Sequence, residues 1–421
     1  MKHHAKLRYN LAARWALLFT SLLGLIIYLL IGLTNSWYDI KYELLEVPIV
    51  INILLVFAVF LSLGGPWALL TPIGLTFCSF VLFIYSRLFF DLIGFAPLNQ
   101  PTLMISGIFP NDVLSESITA LGVFLFSMTF AIAILNNDSI YFNNVIRYGE
   151  DKSIFNIGCI FMAIGVIPAF YLQYRAAQSA INSGYLSIFT EGVEIDAPLG
   201  IRLLASLFRL GFIFSLISLR RTKYYLIIIV VFSCFCILGL ATGIRGYYFS
   251  VFAVLGWFSV SFSNKKSESG WFKLFFLLPL VMIIGQVISL IRDGSASLTS
   301  SLNLLEFSFN QGTSILSVLA AVVYKDELRN ISYLDLFSLF TSHKPLIQNQ
   351  VNALVDPVSS RMGHSLGGSL IQEHYLAGGF IGLAFSGILL VFLLSILSKY
   401  SMLSRIVLGI TLIVLPNIIF S

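Results

Sequence analysis

Charge is scarce in this sequence. Only 11% of its 421 residues are charged, whereas a soluble domain carries about 25%. Hydrophobic residues make up 58% of the chain, and the mean hydropathy is +0.92. Because a soluble fold cannot hide that much apolar surface, we exclude a soluble protein. The 38 phenylalanines and 18 tyrosines suit lipid contact and interfacial aromatic belts.

Cysteine and net charge are also low. The four cysteines, Cys78, Cys159, Cys234 and Cys236, all lie in apolar stretches. This placement indicates small buried side chains rather than a disulfide framework or a metal site. The net charge of +5 is spread over the loops, without the basic stripe of a nucleic-acid-binding surface. We therefore predict no nucleic-acid partner.

Long apolar windows recur along the chain. A helix needs roughly 20 apolar residues to cross about 30 Å of hydrocarbon, and backbone polar groups in lipid must bond within the segment. We predict a single membrane domain over residues 1–421, an all-α polytopic bundle of about eleven transmembrane helices. The windows are Leu11–Leu33, Val47–Leu63, Trp67–Phe90, Leu114–Leu135, Ile154–Tyr174, Leu199–Leu219, Tyr224–Thr242, Tyr247–Phe262, Trp271–Ile291, Leu376–Leu397 and Leu403–Phe420.

Basic residues indicate the orientation of these helices, because Lys and Arg near helix ends are retained in the cytoplasm. Lys2 and Arg8 place the N terminus in the cytoplasm. When one membrane crossing is counted for each window, the loops with Arg220, Lys265 and Lys399 also fall on the cytoplasmic side. The first apolar segment lacks a small-residue cleavage site, so we predict a retained span rather than a signal peptide.

The same count of membrane crossings places one long loop, residues 292–369, on the outer face of the membrane. Four of its residues have helical i, i+3, i+4, i+7 spacing: Tyr333, Leu336, Phe337 and Phe340. This spacing predicts a helix on the membrane surface. The run Ser314 to Tyr324 is apolar but too short to span, so we predict an interfacial or re-entrant segment.

Histidine is scarce and unevenly placed. Apart from His3 and His4, the histidines lie in the long loop or at its end: His343, His364 and His374. A histidine can act as a base near neutral pH. The alternative for each is a solvated loop residue.

Several arginines lie at predicted outer helix ends or in the long loop: Arg87, Arg175, Arg202, Arg245, Arg292 and Arg361. A charge near the bilayer is costly and usually faces a cavity or ligand, and guanidinium forks bind phosphates bidentately. These side chains suit a diphosphate, and the alternative is snorkelling to the interface. Arg209, near the middle of its span, is expected to face the bundle interior.

Two glycine-containing stretches suggest a site. Thr242-Gly-Ile-Arg-Gly246 joins two spans in a tight turn, where glycines let a ligand approach Arg245. Residues 363–382 read GHSLGGSLIQEHYLAGGFIG, a glycine-rich turn that leads into a helix. Glu373 would lie about one turn inside that helix, where the dipole favours its charge. The structural alternatives are a plain turn and a capped helix with a small-residue packing face.

With these stretches the chain resembles the O-antigen polymerases of the Wzy type. Members tend to show a Gly-x-Gly-x-Ser run, then a Glu and a Tyr, then Gly-x-x-Gly opening a late helix. Matching positions are Gly368, Ser369, Glu373, Tyr375, Gly379 and Gly382. His374 and Ala377 depart from the usual pattern. The resemblance implies a GT-C-like bundle with a large late periplasmic loop. Because members usually continue further than Ser421, we expect a twelfth helix to be missing at the C terminus.

The resemblance implies a glycosyltransferase of the bacterial inner membrane that builds the O-antigen of lipopolysaccharide at the periplasmic face. A sugar hydroxyl of one undecaprenyl-diphosphate-linked repeat unit would attack the growing chain and expel undecaprenyl diphosphate. Four arginines are expected to hold the diphosphate: Arg245, Arg361, Arg292 and Arg87. His364, or else Glu373, would take the proton. No cofactor or metal is expected. The expected partners are the lipid-linked oligosaccharide, the bilayer and a chain-length regulator.

Two other functions stay open. A flippase or other transporter of the lipid-linked oligosaccharide should show charged residues within spans and two related halves, and neither is clear in this sequence. An O-antigen ligase would share the chemistry of the polymerase, and sequence alone separates the two poorly.

Overall fold

The computed structural model describes residues 2–95, 97–98, 109–135, 149–183, 197–220, 223–242, 245–262, 314–328, 350–351, 354–355 and 369–420, and this part of the chain contains helices and no strand. The α-helices are α1 (Lys2–Leu33), α2 (Tyr42–Gly64), α3 (Pro72–Phe80), α4 (Ser86–Leu92), α5 (Asn111–Ile134), α6 (Lys152–Ser183), α7 (Leu199–Ile217), α8 (Lys223–Leu240), α9 (Arg245–Ser261), α10 (Ser314–Val323), α11 (Leu370–Ser401) and α12 (Arg405–Phe420). A π-helical turn, Val81–Tyr85, joins α3 to α4, and 3-10 turns lie at Ser36–Asp39 and Gly65–Leu70.

Seven helical segments of the described chain are long and apolar enough to cross a membrane. They are Ala12–Leu33, Tyr42–Ser62, Pro72–Leu92, Asn111–Ile134, Lys152–Ala180, Leu199–Ile217 and Leu370–Ser401. Each falls on a predicted window. Windows 224–242, 247–262 and 403–420 fall on the shorter apolar helices α8, α9 and α12, and window 271–291 lies outside the described residues. The all-α polytopic membrane fold is thus confirmed.

Helix contacts divide the chain into two compact units, each discontinuous in sequence. Unit 1 comprises Met1–Tyr141, Leu305–Ile396 and Ser421, and unit 2 comprises Phe142–Leu304 and Leu397–Phe420. No repeat or linker in the sequence indicates this division, and the single membrane domain over residues 1–421 stays a prediction.

Helix α5 is the centre of unit 1, and α1 and α2 pack against it. A Cβ atom on Gly122 would lie 2.1 Å from the Tyr28 ring, so only glycine lets α1 approach this closely. The Tyr28 side chain also contacts α2, because its hydroxyl donates a hydrogen bond to the Leu45 carbonyl at 2.6 Å. Arg14 donates to the carbonyls of Ala133 and Ile134, at 3.1 and 2.9 Å. This side chain caps the C-terminal end of α5, so α1 and α5 run antiparallel.

Helix α10 is buried inside unit 1. Every residue from Ile315 to Val322 is buried, and the helix packs against α5 and the π-helical turn. A helix on a membrane surface would leave one face exposed. The apolar residues of α10 surround the helix instead of forming one stripe, and its predicted interfacial position relative to the membrane stays a prediction. The re-entrant alternative stays a prediction. Residues 333–340 lie outside the described structure.

Glycines bring α6 and α7 of unit 2 into backbone contact. A Cβ on Gly165 would lie 2.4 Å from the Phe208 nitrogen, and one on Gly211 would lie 2.5 Å from the Met162 nitrogen. Such small-residue contacts are typical of helix pairs in membranes. Helix α8 joins the pair through the Phe212 and Phe232 rings, stacked 3.6 Å apart.

Asp151 ties the start of α6 to the start of α12. Its carboxylate accepts hydrogen bonds from the backbone N–H groups of Ser153 and Ile154, at 2.9 and 3.1 Å, as an N-cap does. Arg405 donates to the same carboxylate at 2.8 Å. The Ile154 hydrogen bond, with those of Ser153 and Arg405, holds the pKa of Asp151 below its usual value. Helix α12 also packs against α9 and α7.

Candidate functional site

One end of unit 1 is polar. Helix ends lie there at Leu33, Tyr42, Asn111 and Leu370. The Ser115 hydroxyl, near the start of α5, donates to the Ile40 carbonyl at 3.2 Å. This bond holds the turn between α1 and α2 against α5. We term this region the polar end of unit 1.

A buried carboxylate joins three helices at the polar end. Glu116 lies in the second turn of α5, and its side chain is only 5% exposed. The Lys325 ammonium, just beyond α10, donates to both carboxylate oxygens at 2.7 Å. The Tyr375 hydroxyl, from the second turn of α11, also donates to Glu116. Glu116, Lys325 and Tyr375 are termed the Glu116 triad.

Aromatic rings flank this triad. The Lys325 ammonium lies 5.4 Å from the centre of the Trp37 ring, within the range of a cation–π interaction. Trp37 is buried, and the neighbouring Tyr38 ring stacks on it with centroids 3.7 Å apart. Tyr38 itself is 61% exposed. The turn between α1 and α2 therefore presents the Tyr38 ring to the surroundings, and the buried Trp37 ring on which it stacks contacts the Lys325 ammonium.

The triad is electrically compensated. An isolated buried carboxylate is costly, and it persists when a cation and hydrogen-bond donors satisfy it. Lys325 supplies the charge and Tyr375 supplies a further donor. The Lys325 side chain is 37% exposed, so the polar network reaches the surface of the unit. The Glu116 triad can form hydrogen bonds with hydroxyl or phosphate groups.

The start of helix α11 places Glu373 where the sequence predicted it. Ser369 caps it, because its hydroxyl accepts from the Gln372 N–H at 3.0 Å and its carbonyl accepts from the Glu373 N–H at 3.1 Å. Glu373 thus lies one turn inside the helix, and its side chain is half-buried. The helix begins six residues before the predicted Leu376 window, since the polar residues of its first turns ended the apolar window without ending the helix.

The structure describes only part of the predicted site. Arg87, on α4, is buried, and it lies in unit 1 together with Glu373. Arg245 begins α9 in unit 2, and its side chain lies outside the described structure. Three predicted site residues also lie outside it: Arg292, Arg361 and His364. Convergence of the arginines on one diphosphate stays a prediction.

Three further arginines lie in unit 2, and all are exposed: Arg175, Arg202 and Arg209. Arg209 does not face the bundle interior as predicted, and its guanidinium lies 5.6 Å from the centre of the Phe235 ring. The buried face of α7 contains Phe208, Gly211 and Phe212, and each residue turns about 100° around a helix. Arg209 therefore lies off the buried face.

Sequence reasoning missed the Glu116 and Lys325 parts of the triad. Glu116 stands alone as an acid in the window Leu114–Leu135, and an ionisable residue within a span is a recognised sign of a functional site. The sequence alone could therefore have indicated Glu116 as a candidate site residue. The sequence could not indicate the partner of Glu116, because Lys325 lies 209 positions away in the chain.

The fold and this site define an integral membrane protein whose helix bundle has a polar network at one end. The family model for the O-antigen polysaccharide polymerase Wzy matches residues 17–421, nearly the whole chain. The chain belongs to that family, and the predicted resemblance is confirmed. No curated protein and no solved structure matches the chain. Family membership assigns O-antigen polymerisation, a glycosyltransferase-like activity, to this membrane protein.

Proposed function

We propose that this protein joins undecaprenyl-diphosphate-linked oligosaccharide repeat units into O-antigen at the periplasmic face of the bacterial inner membrane. The observation that carries the proposal is the family match over residues 17–421. The basic loops support an N terminus in the cytoplasm. With that orientation the polar end of unit 1, where α1 ends, faces the periplasm.

In the proposed reaction the terminal sugar hydroxyl of a new repeat unit attacks the anomeric carbon of the growing chain. The new bond is C–O between sugars, the bond from that carbon to the diphosphate oxygen breaks, and undecaprenyl diphosphate leaves with the electron pair. The hydroxyl proton passes to a base, for which we propose His364 before Glu373. Diphosphate is already a good leaving group, so cations suffice to stabilise it.

The proposed cations are Arg245, Arg361, Arg292 and Arg87. Arginine suits this role because its planar guanidinium binds phosphate oxygens bidentately and keeps its charge. Arg87 is the one whose burial the structure describes, at 1% exposed. A chain-length regulator remains the proposed protein partner.

Deletion of the gene tests the reaction. We expect the lipopolysaccharide ladder on a gel to collapse to a single band of core plus one repeat unit, because ligation continues without polymerisation. Loss of all O-antigen bands would instead indicate a ligase or a flippase.

Substitution of Arg245 tests the diphosphate clamp in the complemented deletion strain. We expect Arg245→Ala to abolish the ladder at unchanged protein abundance on an immunoblot, and Arg245→Lys to restore it only in part. Arg220→Ala, which removes an arginine of the same unit from a loop predicted to face the cytoplasm, is the matched control and should leave the ladder intact. An intact ladder with Arg245→Ala would remove Arg245 from the mechanism.

A further inference from the structure

We propose that Tyr38, Trp37 and the Lys325–Glu116 pair form a subsite for a sugar ring of the oligosaccharide repeat unit. The proposal rests on the proposed function, because it names the part of that substrate which the polar end of unit 1 would contact. All four residues belong to unit 1.

An aromatic platform is the first element of the subsite. Tyr38 is 61% exposed although one face of its ring is covered by the buried Trp37 at 3.7 Å. The opposite face of the ring is the one that Trp37 leaves uncovered. The stack fixes the ring, and a fixed aromatic face carries negative charge density that attracts the C–H groups on the apolar face of a pyranose.

A hydrogen-bond donor that contacts Trp37, the ring on which Tyr38 stacks, is the second element. An ammonium group has three N–H donors, and Lys325 directs donors to the two oxygens of Glu116 at 2.7 Å. Its side chain is 37% exposed and its ammonium lies 5.4 Å from the centre of the Trp37 ring. A sugar hydroxyl can accept the remaining N–H, and the Glu116 pair keeps the ammonium in place.

The charge balance favours a sugar over a phosphate at this place. Lys325 is the cation of the triad, and Glu116 neutralises it through both oxygens. A diphosphate requires cations with uncompensated charge, whereas sugar hydroxyls need donors and acceptors without net charge. The geometry therefore fits the saccharide part of the substrate.

Substitution of Tyr38 tests the subsite. The full-length protein in nanodiscs would be titrated by calorimetry with the strain's own repeat-unit oligosaccharide, released from its lipid. We expect the Kd to rise about tenfold or more in Tyr38→Ala and to stay within roughly twofold in Tyr38→Trp, which keeps an aromatic face. Tyr174→Ala, which removes an exposed tyrosine of unit 2, should bind as the wild type does. The proposal would be overturned if Tyr38→Ala had the same Kd as the wild type. It would also be overturned if the oligosaccharide did not bind to the wild-type protein.

A second variant covers the risk that Tyr38→Ala uncovers Trp37 and fails to fold. Tyr38→Leu keeps an apolar cover without an aromatic face and should lose binding while it melts as the wild type does. Tyr38→Leu with wild-type affinity would exclude stacking.

The subsite and the proposed function fail in different ways. If wild-type protein does not restore the ladder of the deletion strain, the polymerase proposal fails whatever the titration shows. If it restores the ladder and Tyr38→Ala restores it equally, with equal affinity, only the subsite fails.

Discussion

Glu116 shows how one buried charge can hold together segments that are distant in sequence. Its carboxylate is nearly inaccessible, yet its partners come from positions 325 and 375. The cost of its desolvation is offset by an ammonium and a phenol, so the contribution of each partner depends on the others. Single substitutions will therefore report the cost of a broken network rather than the strength of one bond.

A double-mutant cycle measures this dependence. We expect Lys325→Met to lower the free energy of unfolding by about 1–3 kcal/mol, because it leaves Glu116 buried without its cation. The double variant with Glu116→Gln should lose less than the sum of the single variants, with a coupling of about 1–2 kcal/mol. Thermal melting in detergent is the measurement. Additive losses would show that the two side chains do not stabilise each other.

The same residues show what could be predicted from sequence. The position of Glu373 followed from a local signal, a glycine-rich turn that leads into a helix, and the structure confirms that Glu373 lies one turn inside that helix. The Lys325 pairing depends on how α5 and α10 pack, which no local pattern determines. Tyr375 was noted for its family resemblance, whereas its bond to Glu116 needed the three-dimensional fold.

At the scale of elements, α11 is a long helix with a break in it. Gly379 has φ 57° and ψ −147° within Leu370–Ser401. This conformation is open essentially only to glycine. The break separates a first segment, with Gln372, Glu373 and Tyr375, from a second apolar segment. Tyr375 and Phe380 on either side are in edge contact, with centroids 5.7 Å apart.

Substitution of Gly379 tests whether the break is required. A Cβ there meets no atom within 4 Å, so any cost of Gly379→Ala comes from the backbone alone. We expect a loss of about 1–3 kcal/mol in the free energy of unfolding. Gly409→Ala in α12 is the matched control, since its nearest contact would be an ordinary 3.8 Å, and it should be neutral or stabilising by about 0.5–1 kcal/mol. Both would be compared by thermal melting. A stabilised Gly379→Ala would mean that α11 can straighten at no cost.

Helix positions were predictable because a lipid environment forces apolar residues into runs of spanning length. Two helices, α10 and α11, differ from what hydropathy alone predicts, and each difference has a physical cause. Helix α10 is as apolar as a span but only ten residues long, so its length excluded a crossing, while its burial depends on the helices around it. Helix α11 extended beyond its apolar window because capping by Ser369 decides a helix start, and hydropathy does not detect caps.

At the scale of the whole molecule, the orientation in the membrane is the prediction on which the placement of the polar end depends. Alkaline phosphatase folds with disulfides that form only outside the cytoplasm. We expect a fusion after Leu33 to be active and one after Ile217 to be inactive, because the basic residues beyond Ile217 are retained in the cytoplasm. Enzyme activity at equal protein abundance is the readout. The reverse pattern would place the polar end on the cytoplasmic side and contradict the proposed function.

The division into two units lies beyond sequence analysis of a single chain. Each unit combines segments that are far apart, and hydropathy treats all spans alike. Membership is decided by side-chain fit, such as the glycine contacts between α6 and α7, which appears only when both helices are placed.

The position of α12 has a consequence for biosynthesis. Unit 2 contains residues 142–304 and then 397–420, so a ribosome completes all of the long segments of unit 1 before it reaches the last helix of unit 2. Until then α7 and α9 lack their contacts with α12, and Asp151 lacks Arg405. Closing contacts of such long sequence separation is slow. Unit 2 can therefore complete its packing only when almost the whole chain has been synthesised.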